Sequence, residues 1–578
     1  MEASAPLQRT VQGGRALTLA PALSSALAVA FIGGTLALVL YPLLTLLVRT
    51  FFEDGTLQLD AFPDALRQPA LGEVLLNTLL LISGSGAIAL VIGAAFAWLN
   101  ERTDAGVPWL TDVLPIIPLM VPTVAGVIGW VMLLAPGAGF INVLLRRLLD
   151  IEAGRGPLDI YTWYGLIFVT VLHLVPYVYL VLSAALRNLD ASYEEASRMM
   201  GAGPLRTLVR VTLPAIAPAL VSAMALVIIL GIALFSITVI IGTGARIEVL
   251  AVRIFRLLSA NYPPRTDVAA VLSIFMLVLV QAVLLLQATV SRMGRYARVG
   301  GQGFRASPVR LGGWRWVARA FMGLYILAAT VLPVLALALV SIQPFWSADI
   351  DWSKLTLNNY VRVILDDRIA SSALRNSLLL AMGAATAVMV AMAVLAQVMR
   401  GSGPVVARLL GGVAGLPAAL PHTVIGVAFL VAFIREPINL YGTVVLLLLA
   451  YMVEFMPQAS QAAQAAVQQV GQELVDASRI TGASPLHTFR RVILPIAMPG
   501  LVAGWVIVFA LLVSELTVSA LLAGPGNPVI GFVILNLWEH GTFPALAAMA
   551  LVMTAVTTTM TIIALRLGRG RLRWGVRA

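Results

Sequence analysis

Apolar positions along the chain gather into runs of roughly 20 residues or more, among them Ala26 to Val48, Leu75 to Leu99 and Ala545 to Leu565. A helix needs about that many residues to cross the hydrocarbon of a bilayer. Reading the runs in order predicts spans at 22–48, 74–99, 112–135, 161–186, 214–242 and 268–291, and again at 317–342, 374–399, 405–434, 439–463, 496–523 and 544–566. Ten-residue segments of alternating polarity, the mark of a membrane β-barrel, are absent from the sequence. The pattern therefore predicts an all-α polytopic membrane protein of about twelve transmembrane helices. Gly524 to Phe543, with Pro525 and Pro528, interrupts it and reads as a loop or a segment dipping into the membrane.

The polar segments between runs carry a repeat. Residues 195–218 read EASRMMGAGPLRTLVRVTLPAIAP and residues 476–499 read DASRITGASPLHTFRRVILPIAMP, identical at 13 of 24 positions with an offset of 281. Fainter echoes extend it: Asn77-Thr78-Leu79 opens the second span as Asn376-Ser377-Leu378 opens the eighth, and Pro118 and Pro122 are answered by Pro417 and Pro421. The chain thus reads as two homologous halves of six spans each. An even number per half makes the two run in the same direction, related by an axis along the membrane normal. A pathway between halves follows.

Each copy of the repeat lies between the fourth and fifth spans of its half. Acids stand near the start (Asp190, Glu194, Glu195) and bases near the end (Arg198, Arg206) of a short helix, as its dipole favours. One amphipathic interfacial helix would look similar. Two copies that keep Gly, Ala, Pro, Leu and Arg at fixed spacing point instead to two equivalent docking surfaces.

The pattern E-A-x-x-x-x-G-A followed by L-P-x-x-x-P resembles the EAA loop of permeases in binding-protein-dependent ABC importers. In that family the loop forms a coupling helix seated in a cleft of an ATPase subunit. The resemblance places Glu195, Ala196, Gly201 and Ala202 in the first half, and Asp476, Ala477, Gly482 and Ala483 in the second, at the ATPase coupling sites. Asp476 departs from the pattern; it keeps the charge and shortens the reach, so the two docking sites are expected to differ in strength. The fused architecture, with residues 435–459 and 514–527, is most similar to the ferric iron permeases. Thiamine, a phosphonate such as 2-aminoethylphosphonate, a polyamine or another small ion remain open as cargo. The resemblance implies two copies of an ATP-binding cassette subunit, an external or periplasmic solute-binding protein and residence in the bacterial inner membrane. It gives a cytoplasmic segment at 1–21, a first permease domain at 22–291 with its coupling loop near 187–213, an arginine-rich linker at 292–316, a second domain at 317–566 with its loop near 468–495, and a basic tail at 567–578.

Charge agrees with this layout. The net charge of +11 comes from arginines beside spans rather than from one soluble face, which argues against nucleic acid. Arg292, Arg295, Arg298, Arg305, Arg310, Arg315 and Arg319 crowd the linker without an acid, and Arg566, Arg569, Arg571, Arg573 and Arg577 form the tail. The positive-inside rule places both segments, and so both termini, in the cytoplasm. The acid-rich segment from Phe52 to Glu73 suits an external loop.

The same inventory argues against an enzyme. A P-loop needs Gly-x4-Gly-Lys-Ser/Thr, and the single lysine, Lys354, is followed by Leu355. ATP and Mg are then expected on a partner, and no cofactor on this chain. There is no cysteine, and the four histidines show neither metal-ligand nor triad spacing, so no metal site is assigned. A rival reading, a secondary transporter driven by an ion gradient, also uses internal repeats. It has no need of paired docking motifs, and the carboxylates of an ion relay are few.

Ionisable groups within spans are costly and invite a functional hypothesis. Glu454 and Glu515 qualify; by the offset of 281 they stand where the first half has His173 and Leu234. One reading lines a translocation pathway or gate with His173, Tyr177, Glu454 and Glu515. The other makes each glutamate an interhelical hydrogen-bonding group, or, for Glu454, a charge near the headgroups. Asn77 and Asn376 are assigned to helix packing, and His422, after Pro421, to packing at a kink rather than to coordination. Two glutamates alone do not make a high-affinity site for Fe3+.

Overall fold

A computed structural model describes residues 19–53, 56–57, 59–106, 116–151, 156–293, 308–435 and 438–574. The described residues are helical almost throughout, with one two-stranded ribbon, Phe52–Glu53 against Thr56–Leu57, after the first span. In the first half the helices that matter below are α1 (Leu19–Phe51), α2 (Leu71–Arg102), α3 (Thr123–Leu134), α4 (Trp163–Asn188), α5 (Ser192–Met199), α6 (Ala217–Ala233) and α7 (Thr266–Met293). In the second they are α8 (Leu332–Ser341), α9 (Arg368–Gly401), α10 (His422–Phe433), α11 (Val444–Glu454), α12 (Met456–Gln468), α13 (Gln472–Ile480), α14 (Leu494–Val513), α15 (Thr517–Leu522) and α16 (Phe543–Trp574).

Eight helices among the described residues are long and apolar enough to cross a membrane, and three bent pairs bring the number to 11. The short helix α3 stands where the span at 112–135 was expected. Hydropathy did not foresee the bends. Pro204–Ala215 meets α6 at 74°, Pro404–Ala419 meets α10 at 99°, and α11 meets α12 at 55°. Each break carries a proline, Pro218, Pro421 or Pro457, at or just before the first turn of the later helix. There its missing N–H is harmless, whereas it cannot continue the helix before it. The irregular stretch after Gly524 contains a ten-residue helix, Ile530–Glu539, matched by Leu250–Ser259 in the first half.

Polar groups fix the register of the long helices at equivalent places. Asn77 donates to Glu248 O (3.2 Å) and Asn376 to Pro528 O (2.9 Å), while Thr78 and Ser377 accept from Leu250 N and Ile530 N. The expected packing role of the two asparagines is what the structure shows. Thr162 and Thr443 cap α4 and α11 alike, accepting from Gly165 N and Leu446 N. Outward-facing leucines and valines such as Leu76, Val91, Leu285 and Val390 present the apolar surface that a bilayer requires.

The halves interlock. The first helix of each crosses to the other: α1 packs along α10, and α8 packs along α3. Arg49 donates to Val431 O and Trp130 Nε1 to Ala328 O (3.1 Å) across these contacts. Gly129 permits the second one, since a Cβ there would stand 2.4 Å from Pro333 O. The end of the linker is tied to the loop after α2: Val309 N donates to Arg102 O, Leu311 N to Asp104 Oδ1, and Arg319 to Asp104 O and Ala105 O. Residues 1–18, Arg295, Arg298 and Arg305 of the linker, and Arg577 of the tail lie outside the described residues.

Candidate functional site

Two places stand out, the repeated loops and a cluster of polar side chains at helix breaks. In the loops, α5 and α13 end in the same way. Gly201 has φ +81° and Gly482 φ +83°. Gly201 N donates to Arg198 O and Ala202 N to Ser197 O; Gly482 N donates to Arg479 O and Ala483 N to Ser478 O. This pair of bonds is a Schellman cap, which places a left-handed residue just past the helix and so favours glycine. Space is not the reason, because a Cβ at either position would meet nothing within 4 Å. Ser197 and Ser478 then reach Thr207 and Thr488, each at 3.0 Å.

The repeat exposes what sequence reading assigned to docking. Glu195, Ala196, Gly201, Asp476, Ala477 and Gly482 are exposed, with Ala202 and Ala483 half-buried. Apolar side chains accompany them: Met199, Met200 and Ile480 are 90%, 88% and 85% exposed. Exposed apolar groups of this kind mark an interaction surface for protein or lipid. Asp476 accepts from Gln472 of its own helix at 3.0 Å.

One acid that sequence reasoning missed is Glu194. It is buried, pairs with Arg102 at 2.9 Å and accepts from Thr212 at 2.6 Å. Arg102 also donates to the carbonyls of Leu186 and Leu189. Arg400 makes the matching bonds to Val467 and Val470, yet Val475 stands where the first half has Glu194. The adjacent Glu-Glu in the sequence gave no sign of which one turned inward.

The second place lies wholly in the second half, where three spans break. His422 is the first residue of α10 after the sharp bend at Pro421, Glu454 is the last of α11 before its bend, and Glu515 sits in the break between α14 and α15. One ligand atom of each lies within 4.8 Å of the others. His422 Nδ1 is 2.7 Å from Glu454 Oε1, so His422 is no mere packing residue: the 99° bend turns it toward the acid. Glu454 is fully buried in protein. Its other oxygen, Oε2, receives no hydrogen bond.

Glu515 is held differently. Val518 N and Ser519 N donate to its two oxygens at 2.7 and 2.8 Å, and Ser519 Oγ donates to Oε2 at 2.7 Å. The Tyr451 hydroxyl, 2.6 Å from Ser519 Oγ, is the donor in that contact because the serine proton is already committed. These outer partners fix the direction in which the carboxylate points.

The corresponding place in the first half is built of other groups. His173 Nδ1 lies 3.4 Å from Thr123 Oγ1, the first residue of α3, and its ring stands 5.7 Å from that of Tyr177. With Pro118, Pro122 and Trp130, His173 lines a cavity. Sequence reasoning grouped His173 and Tyr177 with Glu454 and Glu515; the structure joins the first two and joins the last two with His422. The signal for His422 was present, since Pro122-Thr123 and Pro421-His422 align at an offset of 299.

Interlocked sets of helices, broken spans and a repeated capped loop define an all-helical, multi-pass membrane protein of two homologous halves. The chain belongs to the family described as binding-protein-dependent transport system inner membrane component, whose model matches residues 88–295 and 389–572, one stretch in each half. It is a fused two-domain permease of the type I ABC importer class. It is 24% identical over 492 residues to the ferric transport system permease protein FbpB of Actinobacillus pleuropneumoniae, covering 83% of this chain and 68% of that one. A probable ABC transporter permease protein, y4fN of Sinorhizobium fredii, is 30% identical over 71% of this chain and 73% of its own length. The putative 2-aminoethylphosphonate transport system permease protein PhnV of Salmonella typhimurium is 26% identical over 41% of this chain and 90% of its own. Among solved structures, a bacterial ABC transporter involved in alginate import aligns over 47% of this chain and 96% of that chain, with 20% identity and a TM-score of 0.36.

Proposed function

We propose that this chain is the membrane passage of an ATP-driven importer in the bacterial inner membrane, with both termini cytoplasmic, and that its leading cargo is ferric iron. A binding protein delivers the solute from outside, and two ATPase subunits, holding ATP and Mg, dock beneath the loops containing Glu195–Ala202 and Asp476–Ala483. The observation that carries the docking is the shared cap: two exposed loops keep one backbone geometry, glycine at φ above +80° included, while most of their exposed side chains vary. Closure of the ATPases would move the two loops together and alternate access through the halves. The resemblance to ferric permeases over 83% of the chain supports iron as cargo. The shorter resemblance to a permease named for 2-aminoethylphosphonate keeps phosphonate as the second choice.

The test is ATP hydrolysis by the permease with its co-purifying ATPase in liposomes, comparing iron-loaded with iron-free binding protein. Stimulation confined to the loaded form supports the whole reading. Equal rates with both forms remove iron as the cargo, and failure of any ATPase to co-purify removes the docking assignment.

A further inference from the structure

We propose that His422, Glu454 and Glu515 form a transit site that binds a first-row transition-metal cation inside the second half of the permease. The inference deepens the importer reading and rests on it for the cation's role as cargo, but the binding itself is measurable on the permease alone.

The three groups come from three separate spans, each at an interruption of its helix. Transporters commonly place ion and substrate sites at such discontinuities, where irregular backbone is tolerated only beside a cavity or inside protein. Two ligands on opposite sides of an ion at about 2.1 Å stand about 4.2 Å apart. A cluster spanning 4.8 Å therefore closes around a cation with shifts of a few tenths of an ångström at each group. One end of the cluster opens at the protein surface, where 40% of the His422 side chain is exposed, whereas Glu454 is fully enclosed.

A second observation is independent of the spacing. Oε2 of Glu454 is buried without a hydrogen-bond donor, Oε1 having only the His422 contact, and Thr423 Oγ1 next to His422 and Gln458 Oε1 one turn beyond Glu454 are also buried without one. Buried acceptors left without donors on neighbouring residues are rare in folded proteins and call for a bound partner. Glu454 Oε2 can act as an acceptor, and a cation held by the cluster satisfies it. Glu515 is already oriented by the chain from Tyr451 through Ser519, as ligands of metal sites are.

The donor set defines the class. Two carboxylates and one imidazole suit iron and its neighbours, since an imidazole nitrogen is a poor ligand for Mg2+ or Ca2+. Three ligands without a thiolate also suit passage better than storage. In the first half, Thr123, His173 and Leu234 occupy the matching positions, so the site is single.

The experiment uses the full chain in lipid nanodiscs, without ATPase or binding protein, and titrates Mn2+ as a soluble paramagnetic probe. The six-line signal of free Mn2+ should fall by one ion per chain and persist in excess Mg2+. Glu454→Gln and Glu515→Gln should each weaken the binding about tenfold or more, at least as much as loss of an outer-shell partner does. Pulsed measurements on the wild-type complex should show coupling to an imidazole nitrogen, a readout that needs no variant to fold. Absence of bound Mn2+, unchanged binding in both variants, or no nitrogen coupling overturns the proposal. Failure of ATPase docking or of iron stimulation in the liposome assay leaves these results standing, so the two readings fall separately.

Discussion

In the first half, Thr123 opens a helix after Pro122 and its hydroxyl lies 3.4 Å from His173; in the second, His422 opens the matching helix after Pro421 and lies 2.7 Å from Glu454. Leu234 and Glu515 complete the pair of sites, and in each the hydroxyl four residues on, Thr238 or Ser519, lies within 3.0 Å of the carbonyl of Leu234 or Glu515. The same backbone breaks thus hold a neutral, cavity-lining group on one side and an acidic cluster on the other. The coupling end shows the reverse bias, with the buried Arg102–Glu194 pair in the first half and Arg400 facing only carbonyls and Gln472 in the second. The two copies share these turns and differ in where they carry charge.

The largest effect should follow from breaking the coupling-end contrast. Arg102→Ala strands Glu194 as an unpaired buried charge and should cost about 3–5 kcal/mol. Arg400→Ala should cost less, about 1.5–3 kcal/mol, because only hydrogen bonds to a charged group are lost. Thermal unfolding in detergent measures both, and equal losses would remove the contrast. Glu194→Val, which copies Val475, should fall nearer the Arg400 variant.

Transport sharpens the comparison at the breaks. Glu515→Leu, the first half's choice, should lower iron uptake into ATP-loaded liposomes at least about tenfold, or about 1.4 kcal/mol. Because the change also removes the acceptor of Val518 N and Ser519 N, uptake is normalised to the amount of folded protein in the membrane. His173→Leu should change uptake less, and an equal loss from both would make the halves functionally alike.

The two caps should behave as one. Gly201→Val and Gly482→Val each force a β-branched residue into the left-handed region, at about 1–2 kcal/mol. Quantitative pull-down of the ATPase should show weaker docking in both, with an intact permease; normal docking in either would contradict the coupling assignment. The smallest change should come from Tyr451→Phe, which removes one hydrogen bond to Ser519 worth about 0.5–1.5 kcal/mol.

The all-helical membrane class and the two-fold design were legible because apolar length and the repeat at 195–218 and 476–499 report them directly. Direction was not. Hydropathy sums residues without recording where the axis turns, so 405–434 and 439–463 read as continuous although Pro421 and Pro457 break them. The cluster was hidden for the same reason, since His422 stands 32 residues before Glu454 and only the 99° bend brings them together. Glu195 was read from its motif, yet the buried ion pair belongs to its neighbour Glu194, and a turn of one residue on a helix is invisible to a pattern of spacing.

The crossed first helices have a consequence in time. Arg49 at the end of α1 and its acceptor on Val431 are 382 residues apart in the chain. At about 5–20 residues per second, some 20–80 seconds of synthesis separate the insertion of α1 from the arrival of its partner surface. For that interval α1 stands in the bilayer with the face meant for α10 turned to lipid or to a helper. A ribosome stalled before Phe433 would leave a first half that is complete in sequence and still lacks its closing contact.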